Sequence, residues 1–472
     1  MGNEEKTNDA AIIARIVMEG KLVVVSPICI GDGSGEESRS NDKDIKVQKN
    51  KQGDPFIPGT SMCGVLRCFA EENMDVDINL LFGGSSDDAD QSVLQIYDTV
   101  LKEASLSYRD GVAINYYTGV ANDGSKYDYE IVDKGEGIFR LEAVIRQKHI
   151  QKKDEIRKAV VTIKNKLIEG IQIGAMTAKG LGMVELHDVN LGYFDLESNE
   201  ADVKAWFMSP EVDGISASDR MQDEMDEDTS NEVPLFEGEF ELRSTMIIRT
   251  DNMDIPEDEN NHIDKVFLKN SSGKYVVPGS SLKGVLRHQA QYILEKLWKD
   301  NEDLVKKFLN NLMGYSVNIE NRKKSRFYVY ESVLNDTVQE KINTRNRIDR
   351  ITGGVMAHAL FTTVPVYQRE TGKPAIKIKY YIKPESGRQE TDCNNSYAEI
   401  GLALLLFRDL WQGRIAIGGE TSVGRGTLKG ISGKFTIEGC KYTMNAKGEI
   451  SCENGNVNKL DEYVQILAQE VG

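Results

Sequence analysis

Two stretches rich in β-branched and aliphatic residues, KLVVVSPICI (21–30) and EFELRSTMIIR (239–249), each read as a strand, and each opens the same succession of elements. A polar loop follows, then a hairpin whose tip carries Gly53 or Gly273, then a helix that begins after Pro58-Gly59 or Pro278-Gly279. The hydroxyls of Thr60 and Ser61, or of Ser280 and Ser281, can accept from the free N–H groups of the first turn as caps. Beyond a middle strand, helices are predicted over about 152–169 and about 397–412, each leading to a last strand at a glycine-rich loop.

The two successions are copies of one another. DIKVQKNKQGDPFIPGTSMCGVLR (44–67) aligns without a gap to DKVFLKNSSGKYVVPGSSLKGVLR (264–287), with 11 of 24 positions identical. Further landmarks recur in order: LFGG at Leu81 and LMGY at Leu312, SVLQIYDTVL (92–101) and SRFYVYESVL (325–334), INYYTG (114–119) and IDRITG (348–353). The last pair is IQIGAMTAKGLGMVEL (171–186) and IAIGGETSVGRGTLKG (415–430). Their offset grows along the chain, so insertions fall in the loops between landmarks. Strand, helix, strands, helix, strand is the split βαβ order. The expectation is therefore an α+β chain of two tandem ferredoxin-like (RRM-like) domains, at 1–195 and 236–435, with an acidic and flexible linker at 196–235 and a C-terminal extension at 436–472.

Composition adds limits. With 472 residues, 40% hydrophobic and 28% charged, the chain can build two or three cores. No apolar run approaches the roughly 18–20 residues of a membrane span, and the N-terminus lacks a signal pattern, so a cytoplasmic protein without a membrane partner is expected. The six cysteines form no CxxC pair, which predicts neither a zinc site nor a disulfide framework. A net charge of −17 argues against a surface that attracts nucleic acid everywhere. Much of that excess lies between Glu211 and Glu232, where nine acidic residues accompany a single base.

The helix starts carry the most chemistry. Gly64 and Gly284 lie in early helical turns, where glycine costs about 1 kcal/mol relative to alanine. Either the turn packs tightly against another element, or a polyanion approaches the free N–H groups and positive dipole. Ser61 and Arg67 in one copy, and Ser281, Lys283 and Arg287 in the other, would line such an approach; Cys63 replaces the lysine in the first copy. The closing loops GAMTAKGLG and GGETSVGRG, with Lys179 and Arg425, contain no GxxxxGK[ST] and space their glycines wrongly for a dinucleotide fingerprint, so no nucleotide cofactor is expected. Their glycines serve either sharp turns or the close approach of backbone amides to a ligand.

The set formed by the PGSSLKGVLR helix start, the central LFG and the terminal GGETSVGRG loop resembles the repeat-associated mysterious protein (RAMP) superfamily, above all the backbone subunits of type III CRISPR effector complexes, here in a two-domain fusion. The resemblance spans about 20–190 and 238–435. It implies a protein that lies along CRISPR guide RNA and presents it to target RNA, with the other subunits of the complex as partners. It also implies that an aspartate before the hairpin, Asp44 or Asp264, supports cleavage of the target with Mg2+ or another transient divalent ion. Both stand 14 residues before the proline of Pro-Gly. A turn-forming role is the alternative for each; Asp42 is a rival in the first loop and His262 could assist in the second.

The same likeness places an inserted thumb hairpin after YYTG and RITG. In the second copy Met356, Leu360 and Phe361 would wedge between bases, with Arg345, Arg347 and Arg350 beside them for phosphates; the first thumb, TGVANDGSKYDY, is polar and acidic. The run NRKKSR (321–326) and a helix-borne group around Lys152 and Arg157 are further basic candidates. A scaffold that binds RNA without cutting it, and a nucleotide-binding enzyme using the glycine loops, are the competing functions.

Overall fold

The computed structural model describes residues 9–33, 45–84, 91–208, 219–220, 233–250, 263–299, 301–316, 322–385 and 393–469. The chain divides into two compact units: residues 1–109, 128–177 and 181–229 form the first, and residues 110–127, 178–180 and 230–472 form the second. The hairpin at 110–127 and the tip of the first glycine loop are thus grouped with the second unit. Each unit is α+β with the predicted strand and helix order.

In the first unit the order is β1 (Ile12–Val24), α1 (Gly59–Asn73), α2 (Ile78–Phe82), β2 (Leu94–Ile96), β3 (Tyr127–Arg146), α3 (Lys153–Glu169) and β4 (Met183–Asp195). Their sheet runs β2-β3-β1-β4, and each of these neighbours is antiparallel. This is the ferredoxin-like arrangement. Alternation along the strands decides which face the helices cover. Ile16, Met18 and Leu22 of β1 join Met62 and Leu66 of α1 and Ile156 and Ile163 of α3 in one core.

The second unit repeats the plan with β5 (Leu235–Leu242), β6 (Lys265–Phe267), α4 (Gly279–Leu297), α5 (Glu302–Met313), β7 (Phe327–Val329), β8 (Asn343–Ile348), β9 (Val355–Val364), β10 (Ile376–Ile382), α6 (Cys393–Trp411) and β11 (Leu428–Ile437). The sheet order β7-β10-β5-β11 matches the first, and its neighbours are again antiparallel. Its core is aromatic: Phe236 stacks on Tyr380 at 5.1 Å and on Phe435 at 6.0 Å.

The expected C-terminal extension belongs to this unit. β12 (Cys440–Met444) and β13 (Ile450–Cys452) lengthen the sheet beyond β11, and α7 (Asn458–Ala468) lies on α6. Gly401 permits that approach, because a Cβ there would sit 2.3 Å from the Tyr463 carbonyl oxygen. The start of the expected flexible linker is also ordered. Residues Glu200–Met208 form a helix whose Trp206 meets Phe194 edge to face at 5.5 Å and lies under the Arg15 guanidinium at 4.6 Å. Most of the acidic stretch after it lies outside the described residues; Asp219 and Arg220 pair with Tyr193 and Gly192 on β4.

Candidate nucleic-acid interface

The tips of the two glycine helices are closed. Pro58 and Pro278 are the N-cap residues, and no hydroxyl caps either helix, which corrects the expected role of Ser61 and Ser281. The Pro58 carbonyl accepts from Ser61 and Met62 instead, at 3.0 and 3.1 Å. In the first unit the Gly59 N–H donates to Asp98 Oδ1 at 2.8 Å, so an internal carboxylate fills the anion position. A Cβ on Gly59 would stand 2.3 Å from the Ile96 carbonyl oxygen. In the second unit a Cβ on Gly279 would stand 2.0 Å from the carbonyl oxygen of Lys179 and 3.0 Å from that of Val329. A phosphate across these tips is excluded by main chain.

Gly64 and Gly284, a turn farther on, behave oppositely. Both are exposed, and a Cβ on either would meet no atom within 4 Å among the described residues. Tight packing therefore does not explain them. Their bare helix faces are where a chain from outside could come close to backbone.

The basic residues on the same helices have structural duties that sequence spacing could not reveal. Arg67 donates to the Gly83 carbonyl at 2.9 Å and to Asn79 at 3.2 Å, and Arg287 to the Gly314 carbonyl at 3.0 Å and to Asn310 at 2.9 Å. In both units the arginine ties down the C-terminus of the following helix, the LFG or LMG landmark, where carbonyls lack helical partners. Lys283 is buried, donating to Ser325 Oγ at 2.6 Å and to the Ala178 carbonyl at 3.4 Å. Burial, with the charges of Lys179 and Arg287, pushes its ammonium down to about 7. Arg67, Arg287 and Lys283 accordingly brace the fold, and of the three Lys283 is buried while the Arg67 side chain is 37% exposed. Lys179 donates to the Tyr127 hydroxyl at 3.3 Å.

Several members of the other basic runs are partnered too. Arg326 is buried in a bidentate pair with Glu399, and Lys323 reaches Glu385 at 3.1 Å. Lys152 pairs with Asp77 at 2.9 Å, and Arg157 lies over the Tyr193 ring at 4.7 Å.

Among the described residues the open sheet faces are dominated by ion pairs, with one exposed ring at Tyr97, 43% exposed beneath the Arg140 guanidinium. RRM-type recognition stacks bases on exposed aromatic residues. Here the outward positions carry ion pairs: Arg15 with Glu142 at 2.9 Å, Lys377 with Glu237 at 2.7 Å and Lys429 with Glu241 at 2.7 Å. The stacked Tyr328 and Tyr381 are 3% and 8% exposed.

The thumb of the second unit is largely exposed. β8 and β9 form its hairpin, with Arg345 opposite Phe361 and Asn346 opposite Leu360. At its tip, Asp349 Oδ1 accepts from the N–H groups of Ile351 and Thr352 at 2.9 and 2.7 Å, and Gly353 takes φ +68°. Asn115 Oδ1 accepts from Tyr117 and Thr118 at 2.9 and 3.0 Å, with Gly119 also at φ +68°, so the 110–127 hairpin ends in the same turn. The equivalent tip residues Ile351 and Tyr117 are 95% and 71% exposed. Of the expected wedges, Leu360 is 65% exposed, Met356 38% and Phe361 half-buried. Ile351 is thus the most exposed large apolar residue among those described, and the first hairpin has an apolar counterpart in Tyr117 that its acidic composition concealed; the INYYTG and IDRITG alignment contained the signal. Arg347 and Arg350 are exposed and form no ion pair among the described residues.

Asp264 lies at the base of this thumb. It is half-buried, its Oδ2 accepts the Thr362 N–H at 2.7 Å, and β6 continues from it parallel to β9. Arg345, on the neighbouring strand, pairs with Glu420 of the closing loop, and Arg425 of that loop reaches the same Glu420 oxygen at 3.1 Å. The closing loop and the thumb strand thereby gather Arg345, Glu420 and Arg425, of which only Glu420 went unforeseen. Asp44, Asp42 and His262 lie outside the described residues. No group of three or more His, Cys, Asp or Glu side chains that could hold a metal ion occurs among the described residues.

A family model described as the RAMP superfamily matches residues 21–185 and 239–429, one region in each half and well over half of the chain. The chain belongs to the RAMP superfamily. Comparison with curated proteins returned no match. Membership of the RAMP superfamily supports a CRISPR-associated, RNA-binding subunit. No helix among the described residues is long and apolar enough to cross a membrane.

Proposed function

We propose that this RAMP protein is a two-domain backbone subunit of a type III CRISPR effector complex. It holds guide RNA by contacts to the sugar-phosphate backbone and cleaves paired target RNA at Asp264, and at Asp44 in the first domain. The observation that carries the reading is the carboxylate of Asp264 held at the root of an exposed, arginine-bearing thumb. RNA supplies its own nucleophile: the 2′-hydroxyl oxygen attacks the adjacent phosphorus and the 5′-oxygen departs, so the protein's main task is to unstack one nucleotide and align it. A hairpin presenting Ile351 and Leu360 suits unstacking, and Arg347 and Arg350 suit phosphates. A divalent ion is proposed as a condition of the reaction, read by adding a chelator.

A second reading, a non-cutting RNA scaffold, is favoured by one observation: the Asp264 carboxylate already serves the backbone of Thr362. Reconstitution with guide RNA, labelled target and Mg2+ separates the two. Loss of one product band in Asp44→Ala and another in Asp264→Ala supports cleavage by this chain, and an unchanged ladder supports the scaffold.

A further inference from the structure

Glu420 stands in the left-handed region, at φ 59° and ψ 34°, a conformation that costs a non-glycine residue about 1 kcal/mol or more. Met176, its match in the first closing loop, has the same φ of 59°. The loop shape therefore does not require a carboxylate, and the acid at 420 must answer to something else. Its Oε2 lies 3.1 Å from Arg425 Nε and also pairs with Arg345 Nη2. Neither contact has hydrogen-bond alignment, and Arg345 Nε and Arg425 Nη1 are buried with no hydrogen-bond partner among the described residues. One carboxylate thus neutralises two guanidinium groups without satisfying their donors. The first loop has Met176 and a buried Leu181 at these two positions, an apolar pair in the same fold.

Two arginines with spare donors around one poorly aligned acid form a site better matched to an oxyanion that can accept several N–H groups at once, as a phosphodiester does. We propose that Glu420 is an internal competitor for RNA phosphate, occupying the anion position between Arg345 and Arg425 until a backbone phosphodiester displaces it. This rests on the reading that RNA runs along the second thumb. Binding there is then an exchange of anions, which sets affinity below what the arginines alone would give and releases fewer counterions than two free cations would. The first domain lacks the device.

The test is the affinity of the full chain for a single-stranded RNA oligonucleotide across a salt series, with thermal unfolding of each variant alongside. Glu420→Gln is expected to bind about tenfold more tightly at low salt and to steepen the log–log salt slope by about 0.7 per phosphate gained. In an Arg345→Ala, Arg425→Leu background the same substitution is expected to change nothing. Glu420→Met, which installs the residue the first loop tolerates in this conformation, is expected to behave as Glu420→Gln does. Equal or weaker binding by both folded variants overturns the competitor. So does a drop in both melting temperature and affinity for both variants, which would make Glu420 a brace. RNA binding by wild type with no gain in either variant sinks the competitor alone, whereas no binding by any form sinks the thumb reading as well.

Discussion

Thr362 donates its N–H to Asp264 Oδ2 at 2.7 Å, and the Asp264 N–H returns to the Thr362 carbonyl at 2.9 Å. The carboxylate is thereby fixed to the thumb it would serve. Truncation in Asp264→Ala strands a buried N–H and should cost about 1–3 kcal/mol of stability. Asp264→Asn keeps an acceptor, so it should melt close to wild type while target cleavage in the assembled complex is lost. Melting curves paired with cleavage assays check this; an asparagine variant that melts like the alanine variant would show that the side-chain oxygen is not the acceptor that matters.

Arg287→Ala should destabilise the second domain, by about 1–3 kcal/mol, because the Gly314 carbonyl and Asn310 lose a charged donor together. Lysine should not rescue it, since a single ammonium cannot reproduce the fork. Urea unfolding of the two variants, with RNA affinity measured on the folded fraction, separates this brace from a phosphate contact: the salt slope should remain that of wild type.

The strand and helix order and the duplication were legible because each depends on local patterning that two copies present twice, whereas the thumb was expected after RITG and instead turns on it, with Asn343–Ile348 as its first arm. Arg287 shows where legibility stops. Its i, i+4 spacing from Lys283 correctly places both on one helix, yet spacing cannot tell whether that side meets solvent or the end of α5. Lys283 fails for the same reason, its ammonium being buried against Ala178 and Ser325. The caps failed because Pro58 and Pro278 hold the N-cap position, which puts Thr60, Ser61, Ser280 and Ser281 inside the first turn, past the position from which a side chain caps. Glu420 was missed because its meaning resides in a contact with Arg345, 75 residues away in sequence.

Glycine substitutions should split by position. Gly284→Ala removes helix entropy cost without a clash and should raise stability by up to about 1 kcal/mol, while weakening RNA binding if RNA touches that face. Gly279→Ala forces a Cβ to 2.0 Å from the Lys179 carbonyl oxygen and should lower stability sharply. Calorimetry on both variants decides; a stabilised Gly279→Ala protein would contradict the closed tip.

Lys283 makes a pH prediction. Its folded value, about 7, lies below the ordinary lysine value of 10.5, so between those limits the unfolded chain binds the extra proton. Its penalty is full below about pH 7 and relaxes as pH rises toward 10. Lys283→Met should therefore be the more stable protein at pH 6, and the difference should shrink steadily toward pH 10. A difference that grows with pH would reverse the assignment of this group.

On the proposed path, RNA follows the thumbs and the bare glycine faces of the helices, away from the ion-paired sheets. Photo-crosslinking of thiouridine-labelled guide RNA to the assembled complex, with the attached peptides identified by mass spectrometry, tests it most directly. Crosslinks are predicted within 343–361 and around Ser281–Gly284. Crosslinks confined to the strands bearing Lys377, Lys379 and Lys429 would contradict it.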